Sequence, residues 1–287
     1  MAAAGIAARG DRRSWAPLHS AVEEQQWIDA GIAGGVAEPR LALASYPDPA
    51  VIYGRRGGEE PARLARAREE GLVVIRRRTG GGAVLAGPWL IGFHALLPAA
   101  HPVAKMGVVA SMVWLGKVAC TALLLSRVAS RVADAADMAG CRARAADAGV
   151  DWACYGGLSH GELLDAEGHK LLGLSQGRGR WGVLLSGGLL VGESPWESLE
   201  YVYANRRPAR SRLRELASRG LAAVAPGVSV SDVCARLASC LDLALAAEFG
   251  GGNALPAAGG ANHGGTIELA PAVAFDARGG ALTSIRH

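Results

Sequence analysis

The sequence predicts an α+β protein, with mixed or antiparallel sheets flanked by helices. Short runs rich in β-branched and apolar residues recur at 41–45, 50–53, 72–75 and 90–97, without the regular strand–helix alternation of a parallel α/β sheet. From Asp151 onward the pattern turns to β, and Asp165-Ala166-Glu167-Gly168 reads as the turn of a hairpin. Two long helical patterns, 106–130 and 230–249, supply apolar faces to cover a sheet.

Taken in order, residues 1–18 read as a flexible lead without the apolar run of a secretory signal. Residues 19–31 form a helix with Val22, Trp27 and Ile28 facing inward. Pro47-Asp48-Pro49 separates the strands 41–45 and 50–53, and 59–71 is a charged surface helix closed by Gly71. Strands follow at 72–75, 83–85 and 90–97. The run 106–130 is long enough to cross a membrane, but Lys117 falls at its middle, so a buried core helix is expected and no membrane partner. Residues 131–149 lack periodicity and read as a loop with a short helix. Strands are expected at 151–154, 162–164, 170–176 and 181–191, and short helices at 196–203 and 210–219. An amphipathic helix at 230–249 starts at Ser231 or Asp232. One domain, 19–250, thus precedes a Gly/Ala-rich tail, 251–287, expected to be disordered.

Composition narrows the function. A chain of 287 residues with 50% hydrophobic content can bury a sizeable core. Its net charge of +4 is too small to argue for nucleic acid, but suits an acidic protein partner or an anionic substrate. Five cysteines, an odd number with no C-x-x-C spacing, fit a reducing, cytoplasmic setting and offer no zinc site.

Three features could carry chemistry. The run Arg76-Arg77-Arg78-Thr79-Gly80-Gly81-Gly82-Ala83 follows a strand; its glycines let backbone N–H groups converge on an anion, and its arginines add fork-shaped donors. No G-K-[ST] follows, so it is not a P-loop. Lys170 lies in an apolar strand, where an ammonium needs an anionic partner; strand alternation puts Leu172, Leu174 and Gln176 on its face. Cys154 precedes Gly156-Gly157 and could be a nucleophile if a cation or base activates it. Asp151 and Glu162 flank its loop as a base or as salt-bridge partners of Lys170. His94 reads as a core or cavity histidine.

These motifs, in this order, resemble the lipoate–protein ligase and octanoyltransferase family. R-R-x-T-G-G-G-A-V is followed about ninety residues on by G-x-K-x-x-G-x-x-Q, and then by Val183–Val191 as the strand after the lysine. The resemblance covers about 19–250 and implies the α+β catalytic domain shared with biotin–protein ligases. It implies attachment of lipoate or octanoate to a lysine of a small acidic lipoyl carrier domain, in ligases through an acyl-adenylate made from ATP and Mg2+. By position, Arg76, Arg77, Thr79, Gly80, Gly81, Gly82, Ala83, Gly173 and Gln176 would line the acyl-phosphate site. Lys170 would meet the acyl carbonyl and phosphate, and Leu172, Leu174 and Val183 would wall the acyl channel. Ala153-Cys154-Tyr155 matches the cysteine-dependent octanoyltransferases, which take octanoate from acyl carrier protein through a thioester. The sequence departs from the family at Ala86 and Gly87, where histidine-aspartate is usual, at Leu174-Ser175, and at Ser186 in place of a histidine. The ligase reading leads, with the Cys154-dependent transferase, a non-catalytic acyl or carrier-domain binder, and a biotin-type ligase as alternatives.

Overall fold

The computed structural model describes residues 15–54, 60–205 and 210–249. Its elements are β1 (Trp15–Leu18), α1 (Ala21–Ala33), β2 (Arg40–Ser45), β3 (Ala50–Tyr53), α2 (Pro61–Glu69), β4 (Val73–Arg76), β5 (Val84–Ala86), β6 (Leu90–Pro98), α3 (Pro102–Lys105), α4 (Val108–Leu125), β7 (Ser130–Val132), α5 (Ala135–Ala148), β8 (Leu163–Asp165), β9 (Lys170–Gly179), β10 (Gly182–Leu190), α6 (Trp196–Ala204), α7 (Leu221–Val224) and α8 (Val230–Phe249). Short 3-10 turns lie at Cys154–Gly156 and Leu213–Glu215.

Seven strands form one sheet in the order β1-β2-β6-β10-β9-β8-β7, and three form a second, β4-β3-β5. In the large sheet only β1–β2 is parallel. The small sheet pairs β3 with β4 in parallel and with β5 antiparallel. The α+β expectation is therefore met.

The large sheet buries both faces, which explains why β6 reads as nine buried positions in a row rather than as an alternation. Gln176 on β9 reaches the α4 side, its amide donating to the Val108 carbonyl. Ser175, one residue earlier, reaches the glycine segment on the opposite side. α1 also lies on that opposite side, where Ile28 packs with Leu96 of β6 and Leu184 of β10. α4 is long and apolar enough to cross a membrane by length and composition. In the fold it presses Met112, Leu115, Val118, Ala119, Ala122 and Leu123 inward while Lys117 stays exposed, as a core helix does.

Several expectations are corrected. Residues 15–18 are not part of a flexible lead: they form β1, with Leu18 buried and Trp15 Nε1 donating to Asp242 on α8 at 3.2 Å. Residues 131–149 are mostly helix. α5 has a capping box between Asp134 and Asp137 and ends at Gly149 in the left-handed conformation. Only Cys141 and Ala145 of α5 are buried, so it has almost no apolar stripe to read. Residues 151–154 are a turn, and 210–219 hold only the Leu213–Glu215 turn. The start of α8 is capped by Ser229, whose hydroxyl accepts from Asp232 N, rather than by Ser231 or Asp232. The remainder of the lead and the 251–287 tail lie outside the described residues.

Candidate active site

Two segments distant in sequence meet at one end of the large sheet. Ala83 N donates to Trp152 O at 3.0 Å and Cys154 N donates to Ala83 O at 2.8 Å, a parallel bridge that pins Cys154 to the start of β5. Gly80 N donates to Gln176 O at 3.2 Å, and Ser175 Oγ donates to Thr79 Oγ1 at 2.9 Å, tying the same loop to β9. The Arg77 guanidinium turns inward and donates to Gly80 O (2.8 Å) and Gly82 O (3.0 Å). The glycine segment is thus a braced turn. Arg76 is exposed at the end of β4 and does not border the cavity described below.

Lys170 has its anion within the protein. Its Nζ lies 2.7 Å from Glu162 Oε2 and donates to Cys154 O (2.6 Å) and Gly157 O (2.9 Å). Glu162, also buried, accepts from Ser159 N (2.7 Å) and Leu174 N (3.0 Å). Burial works against the ammonium, but its electrostatic interactions with Cys154 and Glu162 outweigh it, so the Lys170 pKa lies above the usual lysine value. A pair whose every donor and acceptor is met can remain charged inside a core. Lys170 was expected to face an acyl carbonyl and phosphate. In the structure it braces the loop that carries Cys154, with Nζ 3.9 Å from Sγ. The salt-bridge role considered for Glu162 is the one the structure shows.

A β-bulge explains why strand alternation misplaced the face of Lys170. Leu163 pairs with Leu172 and Leu164 with Lys170, leaving Leu171 unmatched. Beyond the bulge, Lys170 shares its side with Gly173: a Cβ on Gly173 would sit 3.2 Å from Lys170 Cε and 3.6 Å from Cys154 Sγ. Gln176 faces α4, where its side chain meets Val108, Ser111 and Arg178.

Between the two sheets lies a narrow cavity of about 50 Å³, bordered by Cys154, Tyr155, Gly173 and Gly188 and by the polar side chains of Glu24, Tyr46, His94 and Ser186. Ile28, Ile52, Val84, Leu90 and Leu184 supply apolar wall. Of the three channel residues expected, Leu174 borders it; Leu172 and Val183 are buried in the core without reaching it. Arg77 and Thr79 border it; Gly80, Gly81, Gly82 and Ala83, also expected at the anion site, do not line it. The Tyr155 hydroxyl donates to Gly188 O at 2.6 Å, anchoring the Cys154 turn to β10.

Sequence reasoning missed Glu24, Tyr46, Tyr155 and Ser175 as cavity residues. Glu24 could have been found, because it stands four residues before Ile28 on a helix and so shares its inward face. His94 is 2% exposed, and burial pushes its pKa below the ordinary 6.5, against the opposing pull of Glu24. It is therefore neutral in the folded chain at pH 7. The unfolded chain binds the proton that the native one refuses, so stability from this group is present above pH 6.5 and lost as pH falls through the depressed folded value. His94→Leu is expected to flatten the fall in denaturation midpoint below pH 6.5. Superimposable profiles for the two proteins would refute a neutral buried His94.

Comparison with known proteins agrees with this architecture. The model of the lipoyl protein ligase A/B catalytic domain matches residues 20–241. No curated protein matches the chain. A lipoate-protein ligase A bound with ATP is similar in fold, at 16% identity and TM-score 0.58, over 81% of this chain and 86% of that one. The bipartite lipoate protein ligase of Thermoplasma acidophilum, solved in a study of that ligase and its E2 lipoyl domain, gives 15%, 0.58, 82% and 84%. P. falciparum LipL1 in complex with lipoate gives 12%, 0.54, 84% and 65%. With 222 consecutive positions matched, from the first residues of α1 into α8, the chain belongs to the lipoyl protein ligase A/B catalytic domain family.

Proposed function

We propose that this protein transfers an acyl group to a lysine of a small acidic carrier domain through a thioester on Cys154. The observation that carries the reading is the placement of Cys154. It borders the cavity, its backbone is pinned to Ala83, and a buried ammonium lies 3.9 Å from its sulfur. A cysteine sulfur placed at a cavity can serve as the nucleophile of acyl transfer.

The sulfur attacks the carbonyl of a donor thioester, such as an acyl group on acyl carrier protein. The carrier thiolate leaves and takes a proton from solvent. The neutral amine of the acceptor lysine then attacks the Cys154 thioester, forming the amide, releasing the Cys154 thiolate and losing a proton to solvent. Lys170 stays protonated throughout: it positions the loop, and it is not a base. The lipoyl domain as acceptor is supported by the T. acidophilum relative studied with its E2 lipoyl domain. A net charge of +4 suits an acidic carrier.

The ATP-dependent ligase is the second reading, favoured by the solved ligase bound with ATP. The residues that would hold its phosphates fit poorly as they stand. Nη2 of Arg77 is engaged by the Gly80 and Gly82 carbonyls, and the amides of Gly80 and Ala83 already donate to Gln176 and Trp152. No step is therefore routed through ATP.

Intact mass spectrometry separates the two. After exposure to octanoyl- or lipoyl-thioesters of acyl carrier protein, the protein is expected to gain one acyl mass without ATP. The gain should be lost in Cys154→Ser and should pass to an added lipoyl domain. A lipoyl domain modified only with lipoate, ATP and Mg2+, and equally well by Cys154→Ser, would overturn the thioester reading.

A further inference from the structure

Charge is unevenly spread along this chain. No Asp or Glu occurs from Gly71 to Ala133 or from Gly168 to Gly192, although the two stretches hold ten of the 30 Lys and Arg residues. All 26 Asp and Glu lie elsewhere, so a net charge of +4 conceals a strongly basic part. The fold brings both stretches to one end of the large sheet. The Gly80 amide donates to the Gln176 carbonyl, the Gln176 side chain donates to the Val108 carbonyl, and Arg178 Nη1 donates to the Ala104 carbonyl at 2.7 Å. The glycine segment, the end of β9 and the junction of α3 with α4 thus adjoin. This end of the molecule reaches Cys154, since a Cβ on Gly82 would lie 2.8 Å from Cys154 N.

The side chains exposed here are cationic and apolar. Lys105 ends α3, Arg180 lies in the turn between β9 and β10, and Arg76 opens the glycine segment. All three are exposed, and none makes an ion pair among the described residues. Arg78, by contrast, is held by Asp29 at 2.6 Å. Close to Lys105 along the chain, Val108 and Val109 are 57% and 48% exposed at the start of α4. Apolar side chains with a charged surround are the layout of a docking surface.

Resting on the thioester reading, we infer that the acidic acceptor domain docks on this surface. Its carboxylates meet Lys105, Arg180 and Arg76, and an apolar side chain covers Val108 and Val109. Reach selects the acceptor over the acyl donor. A donor thioester arrives on the long flexible arm of its carrier, whereas the acceptor lysine must bring its own short side chain to Cys154. The acceptor domain must therefore sit directly beside Cys154, where the glycine segment lies. Unpaired surface charge of one sign raises the encounter rate with an oppositely charged partner by about tenfold or more, and salt screens the gain.

The full chain is loaded on Cys154 with the uncharged thioester octanoyl-N-acetylcysteamine and then mixed with a lipoyl domain. In Lys105→Glu/Arg180→Glu, transfer at low salt is expected to fall about tenfold, and the loss should fade at high salt. Val109→Asp should slow transfer at both salt levels, because it places a charge in the apolar contact. Loading from the small thioester should match the parent in both variants, which shows that they are folded. Lys117→Glu/Arg127→Glu makes the same charge change further along α4 and should transfer like the parent; an equal loss there would make net charge the cause and overturn the inference. So would parental transfer by both junction variants, or a loss confined to loading from octanoyl-acyl carrier protein. Cosedimentation with phosphatidylglycerol vesicles that the junction variants abolish, with transfer intact, would make the surface a membrane contact and overturn it too. Failure of the thioester reading looks different: no acyl mass appears on Cys154, yet the lipoyl domain still binds in a calorimetric titration and the junction variants weaken that binding.

Discussion

Lys170→Met is expected to lower stability by about 3–5 kcal/mol, because it leaves the buried Glu162 carboxylate without its counter-charge. For a domain of this size each kcal/mol moves the melting midpoint by about 2–4 °C, so a fall of roughly 6–20 °C should be seen. Glu162→Gln leaves the ammonium with two carbonyls and no carboxylate, and should cost a similar amount. The double variant is the informative one. With both charges gone, part of the loss should return, and the cycle should show a coupling of about 1–3 kcal/mol. Additive losses would mean that each side chain acts through its backbone hydrogen bonds alone. A second readout separates bracing from bulk stability. Alkylation of Cys154 at neutral pH should slow in Lys170→Met at temperatures where the variant is still folded, because the cation 3.9 Å from the sulfur is gone. An unchanged rate would confine Lys170 to a structural part.

Lys170 also shows how far the sequence could be read. An ammonium in an apolar strand announces a partner, and Glu162 was already among the candidates for it. Which face the lysine takes was not legible, because a bulge at Leu171 reverses the alternation and bulges leave little trace in residue type. Gln176, expected at the acyl-phosphate site, turns to the α4 side, and Leu172, expected in the channel, is buried in the core. Elements with a strong local signal were legible: β3 and α8 have the expected bounds. α5 was not, since its stability comes from its caps and from its Ala- and Arg-rich composition rather than from an apolar stripe; its one clear ion pair joins Asp137 to Arg131 outside the helix. The polar side of the cavity was invisible for another reason. Glu24, His94 and Ser186 come from α1, β6 and β10 and Tyr46 from the loop after β2, and only the register of β6 with β10 and the docking of α1 bring them together.

Gly82→Ala is expected to reduce acyl transfer by about a hundredfold while leaving the protein folded. An added Cβ would lie 2.3 Å from the Trp152 carbonyl oxygen and 2.8 Å from Cys154 N, backbone atoms that cannot swing aside as a flexible side chain does. The bridge between Ala83 and Ala153 must therefore widen, carrying Cys154 with it. Overpacking of this kind costs about 1–3 kcal/mol in stability. A displacement of about 1 Å at a reacting group is enough to cost two orders of magnitude in rate. Its neighbours provide controls of known direction. Gly80→Ala places its Cβ in open space, with nothing within 4 Å, and should leave both stability and transfer close to the parent. Gly81→Ala meets the movable Arg77 guanidinium at 2.6 Å but also holds a backbone φ of +97°, so it should lose stability through strain as well as contact. Equal transfer by Gly82→Ala and Gly80→Ala would show that the glycine segment does not set the position of Cys154. The predicted order instead makes these glycines the means by which β5 and the Cys154 turn approach closely enough to share hydrogen bonds.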